Sequence, residues 1–589
     1  MTTLEFHHYN PVARARSAAY DLILAAMGAA VAAGELPEAP TPAFKIEIPG
    51  DVRNGDFACN AAMVGARAFR LPPRRIAEIL TARADCAGTP FERLEVAGPG
   101  FINFFLSHRY FEDVVLAANQ QGADWGRTEF GEGKRVNVEF VSANPTGPMH
   151  LGNARGGALG DCLAAALEWA GYQVTREFYV NDAGNQIEKF GDSLSARYLQ
   201  IFKGEEAVPF PENGYQGEDI RQRAREFADL HGDAFVDSPA QERKKALVDY
   251  ALPLNIQAMK DAMEKYRIHY DVWFLESQLH ESGAVQEVLD KLSALGATYE
   301  KDGAIWYKAG EYSLKWGANK RPKAGEGEAQ DGPKDEVLVR ANGIPTYFAA
   351  DIAYHYNKLV TRGFDLSIDV WGADHAGHVP RMKGSMDAVG LSGSRLDVVL
   401  MQLVKLVRDG QEVRMSKRTG KAVSLVDLLD EVPIDSARFF FNQREPGAQV
   451  LFDMDLAVKQ DSDNPVYYVQ YAHARICSIL RALAAEGVTP RPAAQADLSL
   501  LTDPAEIELV RHIGYFPEEI VTAAKNYDPA RITRYVTDLA TLFHKFYTAC
   551  HVKGEADALQ QARLALCTAA KTTIANGLAM LKITVPEKM

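Results

Sequence analysis

Two stretches of this sequence carry residue types suited to handling phosphates. The first runs Asn144-Pro-Thr-Gly-Pro-Met-His150-Leu-Gly-Asn153-Ala-Arg-Gly-Gly157. It follows an alternating run from Arg135 to Val141 and precedes a stretch rich in Ala, Leu and Gly, so it reads as strand, Pro/Gly turn and helix. A helix that starts at the carboxyl end of a parallel strand offers an anion free N–H groups and a favourable dipole. His150 and Asn153, three apart, face the same way and can both donate to phosphate oxygen. Gly152, Gly156 and Gly157 leave room for a base or ribose against the helix. The spacing matches neither the dinucleotide Gly-x-Gly-x-x-Gly pattern nor a Walker loop. A plainer reading stays open, in which small residues let the helix pack closely on a sheet. The second stretch, far downstream, is Val413-Arg-Met415-Ser416-Lys417-Arg-Thr-Gly420. A serine and cations in a Gly-flanked loop suit a clamp on the charge that develops in phosphoryl or nucleotidyl transfer. Alone, such a loop is usually just solvated; the pair of stretches says more than either.

Groups so far apart need a scaffold that brings them together. Strands are predicted at 135–141, 172–180, 337–340, 366–371 and 398–406, separated by helical stretches, which indicates a parallel sheet with crossover helices. The segment from Gln186 to Tyr307 reads as a mainly helical insertion, and Lys320 to Lys334 as an exposed polar loop. Ahead of the sheet, a helix at 17–33, a strand at 44–48, helices at 61–68 and 73–83 and a hairpin across 94–106 make a small α+β module. Beyond about residue 435 the pattern is helical, clearest where Ile532, Tyr535, Leu539, Leu542 and Phe546 recur at helical spacing. The expected organisation is therefore multidomain α/β. An N-terminal α+β module spans 1–115, a parallel-sheet domain spans about 130–435 with an insertion at 187–307, and a C-terminal α-helical bundle spans 436–589.

Composition narrows the partners. A chain of 589 residues needs more than one core. With 64 Lys+Arg against 78 Asp+Glu its net charge is −14, which argues against non-specific coating of nucleic acid but leaves a local basic groove open. No run approaches the ~18–20 consecutive apolar residues of a membrane span, and the first residues lack a signal-peptide pattern. The six cysteines, Cys59, Cys86, Cys162, Cys477, Cys550 and Cys567, never form Cys-x-x-Cys. They read as reduced, buried thiols of a cytoplasmic protein, with no protein-bound zinc.

His150-Leu-Gly-Asn153 resembles the His-Ile-Gly-His signature of class I aminoacyl-tRNA synthetases, and Met415-Ser-Lys-Arg418 resembles their Lys-Met-Ser-Lys-Ser loop. More particularly, the chain resembles the bacterial type of arginyl-tRNA synthetase. The resemblance is carried by Glu139-Phe-Val-Ser-Ala-Asn-Pro-Thr-Gly-Pro, Tyr179-Val-Asn-Asp-Ala-Gly-Asn-Gln186, the stretch from Val339 to Tyr354, Trp371-Gly-Ala-Asp-His-Ala-Gly-His378, the stretch from Asp463 to Arg475, and the ending Pro586-Glu-Lys-Met589. It runs from Gly55 to the last residue. Two positions depart from the signatures: Asn153 stands for a His, and Arg414 for a Lys.

The resemblance implies a Rossmann-like catalytic domain that ligates L-arginine to tRNA(Arg) through an arginyl-adenylate, using ATP with Mg²⁺. It implies catalytic roles for His150, Asn153 and Lys417, and an ATP site of His150, Gly152, Asn153, Asp374, His375, Met415, Ser416 and Lys417. It further implies an arginine site of Glu139, Tyr347 and Asp351, with Asn144 on the α-amino group. Tyr347 and Asp351 are four apart and share a helix face, although a surface polar pair would show the same spacing. A metal reading of Asp374, His375 and His378 is disfavoured, because three residues in one turn make a poor tetrahedral site.

RNA contacts are expected from the C-terminal helices, whose residues 521–589 carry nine basic and five acidic side chains. Arg531, Arg534 and Lys545 fall on one face, with His544 and Tyr547 as stackers on unpaired bases. A monomer with no membrane partner is the expectation. The rival readings are another class I synthetase, a small-molecule nucleotidyltransferase, and a tRNA-binding paralogue without catalysis.

Overall fold

The computed structural model describes residues 8–317, 334–413 and 423–589. Met415, Ser416, Lys417 and most of the polar stretch at 320–334 therefore lie outside the described residues.

At its centre is a five-stranded parallel sheet. In chain order its strands are β1 (Arg135–Glu139), β2 (Gln173–Val180), β3 (Val272–Leu275), β4 (Leu366–Gly372) and β5 (Leu396–Met401), laid side by side as β5-β4-β1-β2-β3. The order turns back between β1 and β4, so the crevice beyond their carboxyl ends is the place where such sheets bind ligands. Helix α1 (Leu151–Trp169) connects β1 to β2 and is buried along nearly its whole length. Its glycines permit that: a Cβ at Gly160 would lie 2.2 Å from the Phe140 ring, and one at Gly157 would lie 2.7 Å from Ile268. The small residues thus serve packing at Gly157 and Gly160, and Gly157 leaves no space for a nucleotide.

The segment 187–307 is less uniform than its helical pattern suggests. Helices α2 (Asn185–Lys203), α3 (Glu218–His231) and α4 (Ala240–Lys265) form a subdomain around Phe190, Leu194, Tyr198, Phe227 and Leu247. The chain then returns to the sheet as β3, four residues long, before leaving again. Val337–Arg340, expected in the parallel sheet, instead contributes the edge strand Glu336–Val339 of a separate antiparallel sheet with Thr298–Lys301 and Ala304–Tyr307. The single strand expected at 398–406 is also two: β5, then Val404–Arg408, which pairs with Gln411–Glu412 and, in parallel, with Val450–Asp453.

The N-terminal module has an antiparallel sheet in the order Ile46–Glu47, Phe57–Cys59, Phe101–Leu106, Phe91–Ala97, with helices Ala61–Phe69 and Pro73–Arg83. Its helix Pro11–Ala32 is, by length and average hydropathy alone, comparable to a membrane span. It buries Val12, Ala15, Ala19 and Ile23, and its Arg16 reaches Glu518 at 2.8 Å. That acid lies on the C-terminal bundle, which comprises α6 (Pro465–Ala485), α7 (Pro504–Asn526), α8 (Ala530–Ala549) and α9 (Asp557–Met580), with a near-continuous apolar core. The bundle is tied to α1 by the fully buried Arg438, which donates to Asp161 at 2.5 Å and to the Leu581 carbonyl at 2.7 Å.

Candidate active site

His150 is the N-cap of α1, and it forms a reciprocal capping box with Asn153. The Asn153 Oδ1 accepts the His150 backbone N–H at 2.9 Å, and the His150 Nδ1 accepts the Gly152 N–H at 3.2 Å. Burial lowers the His150 pKa, so the ring is neutral, and the bond on Nδ1 assigns its proton to Nε2. The Asn153 amide nitrogen has no partner among the described residues. Each side chain therefore keeps one donor while holding the helix start in shape. Asparagine at this position spends its oxygen on the cap and needs no charge to do so.

The root of the second motif lies against the first. Ser424 makes an antiparallel bridge with His150, and the Leu425 N–H donates to the Met149 carbonyl at 2.8 Å. On the other side the Val413 N–H donates to the Leu406 carbonyl at 2.8 Å. Arg155, fully buried on α1, donates to the carbonyls of Gln402 (2.5 Å) and Glu445 (3.1 Å), fixing the base of that hairpin. Among the described residues no carboxylate accompanies it, and burial pulls its pKa down to about 10.

A cavity of about 600 Å³ opens at the carboxyl ends of β1 and β4. Glu139, Asn144, Asp351, Asp374 and His375 line it, together with Tyr179, Asn181 and His378. Asp374 and His375 are exposed on the turn after β4, 3.6 Å apart. His378 points away from them, its Nε2 lying 3.4 Å from Asp351, between the rings of Trp371 and Phe348.

Beneath this cavity lies a buried charge network that sequence reasoning missed. Lys358 Nζ donates to Glu139 (2.5 Å) and to Asp369 (3.0 Å). His355 donates to Asp369 at 2.6 Å from one ring nitrogen and to the Asp351 carbonyl at 2.7 Å from the other. Two acceptors on one ring require the imidazolium, and although burial alone would lower its pKa, the Asp369 charge raises it. Burial likewise opposes the charge on Lys358, but Asp369 and Glu139 together raise its pKa. For Asp369 burial is outweighed by Lys358 and His355, which hold it well below the usual carboxylate range. Glu139 is left undercompensated: burial outweighs its share of Lys358 and raises its pKa. An incoming cation would be drawn to that deficit. Two further partners flank the network, Tyr354 and Arg362, both on Glu177 at 2.5 Å.

Two non-glycine residues with positive φ, Val141 (+74°) and Ser142 (+42°), follow β1. Such a backbone costs a β-branched residue free energy and persists where surrounding structure imposes it. Here it turns Ser142 back so that its hydroxyl donates to Glu139 Oε1 at 2.8 Å. Both Glu139 oxygens thus already have a protein donor. Asp351, by contrast, has a side chain that is 39% exposed and lines the cavity.

Tyr347 and Asp351 do lie on one helix, α5 (Tyr347–Tyr356), yet they line different cavities. Tyr347 closes a neighbouring one of about 460 Å³, where its hydroxyl accepts the Asn185 N–H at 2.9 Å. That second cavity also contains Glu276, nearly fully buried, its pKa raised by burial. Asn181, oriented with its nitrogen toward Glu276 (3.1 Å), connects the two spaces.

In the C-terminal bundle each predicted RNA-binding cation is already paired. Arg531 holds Glu519 through two bonds (2.8 and 2.9 Å), Arg534 holds Asp528 (2.9 Å), and Lys545 pairs with Glu508. What stands out instead is an aromatic cluster of Tyr468, Tyr471, His544 and Tyr547 across α6 and α8. Arg475 lies 4.5 Å over the Tyr547 ring and 3.5 Å from His544 Nδ1. Burial, then Arg475, lowers the His544 pKa, so it joins the cluster as a neutral ring. His544 and Tyr547 were expected as stackers, while Tyr468, Tyr471 and Arg475 were not, although their spacing marks one helix face and was the signal in the sequence that could have found them.

Comparison with known proteins follows the same three parts. Residues 21–106 match the family described as the arginyl tRNA synthetase N terminal domain, 115–454 that of tRNA synthetases class I (R), catalytic domain, and 469–589 the DALR anticodon binding domain. The chain is 52% identical over 580 residues to the arginine–tRNA ligase of Caldanaerobacter subterraneus, covering 98% of this chain and 100% of that one. It is 50% identical over 567 residues to that of Ruminiclostridium cellulolyticum, covering 96% and 97%. The solved arginyl-tRNA synthetase of Thermus thermophilus, 23% identical, shares the fold with a TM-score of 0.71 over 98% of this chain and 100% of that one.

Proposed function

The chain belongs to the arginyl-tRNA synthetases, class I enzymes that charge tRNA with arginine, and from that premise we propose how its residues divide the work. The arginine carboxylate attacks the α-phosphorus of ATP, giving arginyl-adenylate and pyrophosphate. A terminal ribose hydroxyl of the tRNA then attacks the arginyl carbonyl, forming the ester and releasing AMP. Mg²⁺ enters with ATP as part of the substrate. The observation that carries this reading is a carboxylate-lined cavity at the carboxyl ends of β1 and β4, reached by the same β1–α1 connection whose helix His150 caps.

In that crevice Asp351 takes the guanidinium fork, with Tyr347 and the buried Glu276 on its far side. Asn144 takes the α-amino group, and Glu139 supplies uncancelled negative charge. His150 donates from Nε2 and Asn153 from its amide to phosphate oxygens, while the dipole at the α1 N-terminus favours the anion. Asp374 and His375, on the exposed rim, contact the nucleotide. Met415 and Ser416 are assigned to ATP, and Lys417 to the charge on the leaving pyrophosphate. No covalent enzyme intermediate is needed, so rate comes from positioning and electrostatics.

Lys417→Ala is expected to lower the rate of adenylate formation by about 10²-fold with arginine affinity nearly unchanged, the usual cost of one transition-state donor. Single-turnover measurement of adenylate formation checks this, and a parental rate would remove Lys417 from the mechanism. The aromatic cluster on α6 and α8 is assigned to unpaired bases of the tRNA, since stacking is worth about 1–3 kcal/mol per base. Tyr471→Ala, at a ring 42% exposed, is therefore expected to raise the KM for tRNA about tenfold and to leave that for arginine alone. Equal KM values for tRNA would return the reading to the paired cations on α8.

A further inference from the structure

A third cluster of cations belongs to neither site. On the outer side of the helical subdomain, Arg197, Gln200, Ile201, Glu205, Arg221 and Arg225 line a cavity of about 170 Å³. Arg197 is unusual there, because its side chain is only 9% exposed and packs 4.1 Å over the Phe210 ring. Its Nη1 donates to Gln200 (2.8 Å) and Glu205 (3.5 Å), but its Nε is buried with no acceptor among the described residues. A buried, unmet donor on a charged group is costly and calls for an explanation. Arg221 donates to Glu205 at 2.8 Å and approaches Glu218 at 3.9 Å, and Arg225 donates to Glu218 at 3.1 Å. Three guanidiniums thus share two carboxylates, leaving one positive charge in excess.

The cluster lies across α3 from the turn that leads into His150. Asp219, Gln222 and Arg223 of α3 face the cavity under Gly147–Met149, whereas Arg221 and Arg225 lie on the opposite face. Planar forks converging on a small concavity match the oxygens of a phosphate-type anion as well as they match a carboxylate. Glu205 and Glu218 are then counter-ions at the rim, displaced when the anion enters.

We propose that Arg197, Arg221 and Arg225 form a phosphate-class oxyanion site on the helical insertion. Its occupant is either a backbone phosphodiester of the RNA substrate or a free phosphate, and only the first source rests on the functional reading above. Arg221 and Arg225 are at the surface, so Arg221→Gln/Arg225→Gln in the full-length protein tests the site without emptying the core around Arg197. RNA affinity is measured against salt concentration, and thermal stability with inorganic phosphate against chloride at matched ionic strength. If the RNA backbone is the occupant, the slope of log affinity against log salt falls by about one in the double variant. If free phosphate is, the slope holds and phosphate loses its stabilising effect. Lysine at both positions restores charge without the fork and should recover the slope only in part. An unchanged slope together with an unchanged phosphate response overturns the proposal. Arginine charging at saturating tRNA is followed in parallel. Its absence in the parent would overturn the functional reading alone, and its persistence in the variant is expected of a site set apart from the reaction centre.

Discussion

Lys358→Met is expected to destabilise the protein by about 3–5 kcal/mol and to leave arginine activation barely measurable. The lysine is fully buried, and it alone bridges Glu139 and Asp369. Removing one partner of a buried ion pair costs that much because the remaining charge stays desolvated and unpaired. Here both Glu139 and Asp369 would lose that cation under the floor of the pocket. His355 still neutralises Asp369, so the loss falls mainly on Glu139, which would take up a proton and cease to attract the substrate cation. A shift in the denaturant midpoint measures the first effect, and pyrophosphate exchange the second. Adding Glu139→Gln to Lys358→Met should recover much of the stability and none of the activity. A stable single variant would mean that the lysine is not the keystone its geometry indicates.

Asp351→Asn acts differently, on affinity rather than stability. The side chain is partly exposed in the free protein, and it lies 3.4 Å from the His378 ring. Only bound arginine would bury it. Truncating one partner of a desolvated, hydrogen-bonded charge pair costs about 2–5 kcal/mol. The KM for arginine should therefore rise by about 10²-fold or more, with a melting temperature close to the parent's. Retention of the parental KM would move guanidinium recognition to Glu276.

Much of this arrangement was legible in the sequence because it is local. The strand, turn and helix around His150, and the spacing of Tyr347 and Asp351, follow from residues within a few positions of one another. What escaped was long-range. Lys358 pairs with Glu139, 219 positions away, and a lysine gives no local sign that it will be buried. It occupies a π-helical turn, Asn357–Thr361, that continues α5, an irregularity with no compositional mark. The strand at Glu336–Val339 was visible as a strand, but pattern does not say which sheet a strand joins. β3 was lost among helices because four residues are too few to show a period. On α8 the cations shared a face as expected, while two of the acids that neutralise them, Glu508 and Glu519, come from α7.

The acidic balance of −14 acquires a narrower meaning from these pairings. With the α8 cations paired, the proposed RNA contacts rest on stacked rings and a few placed guanidiniums more than on a diffuse positive field.

All of this requires that one crevice activate arginine, and arginine only, at the expense of ATP. ATP–pyrophosphate exchange, run across the amino acids with and without tRNA, reads that step itself. Exchange is expected with arginine alone, and it should be lost in Asp351→Asn at ordinary arginine concentrations. Exchange driven by another amino acid, or none with arginine even when tRNA is supplied, would contradict the assignment.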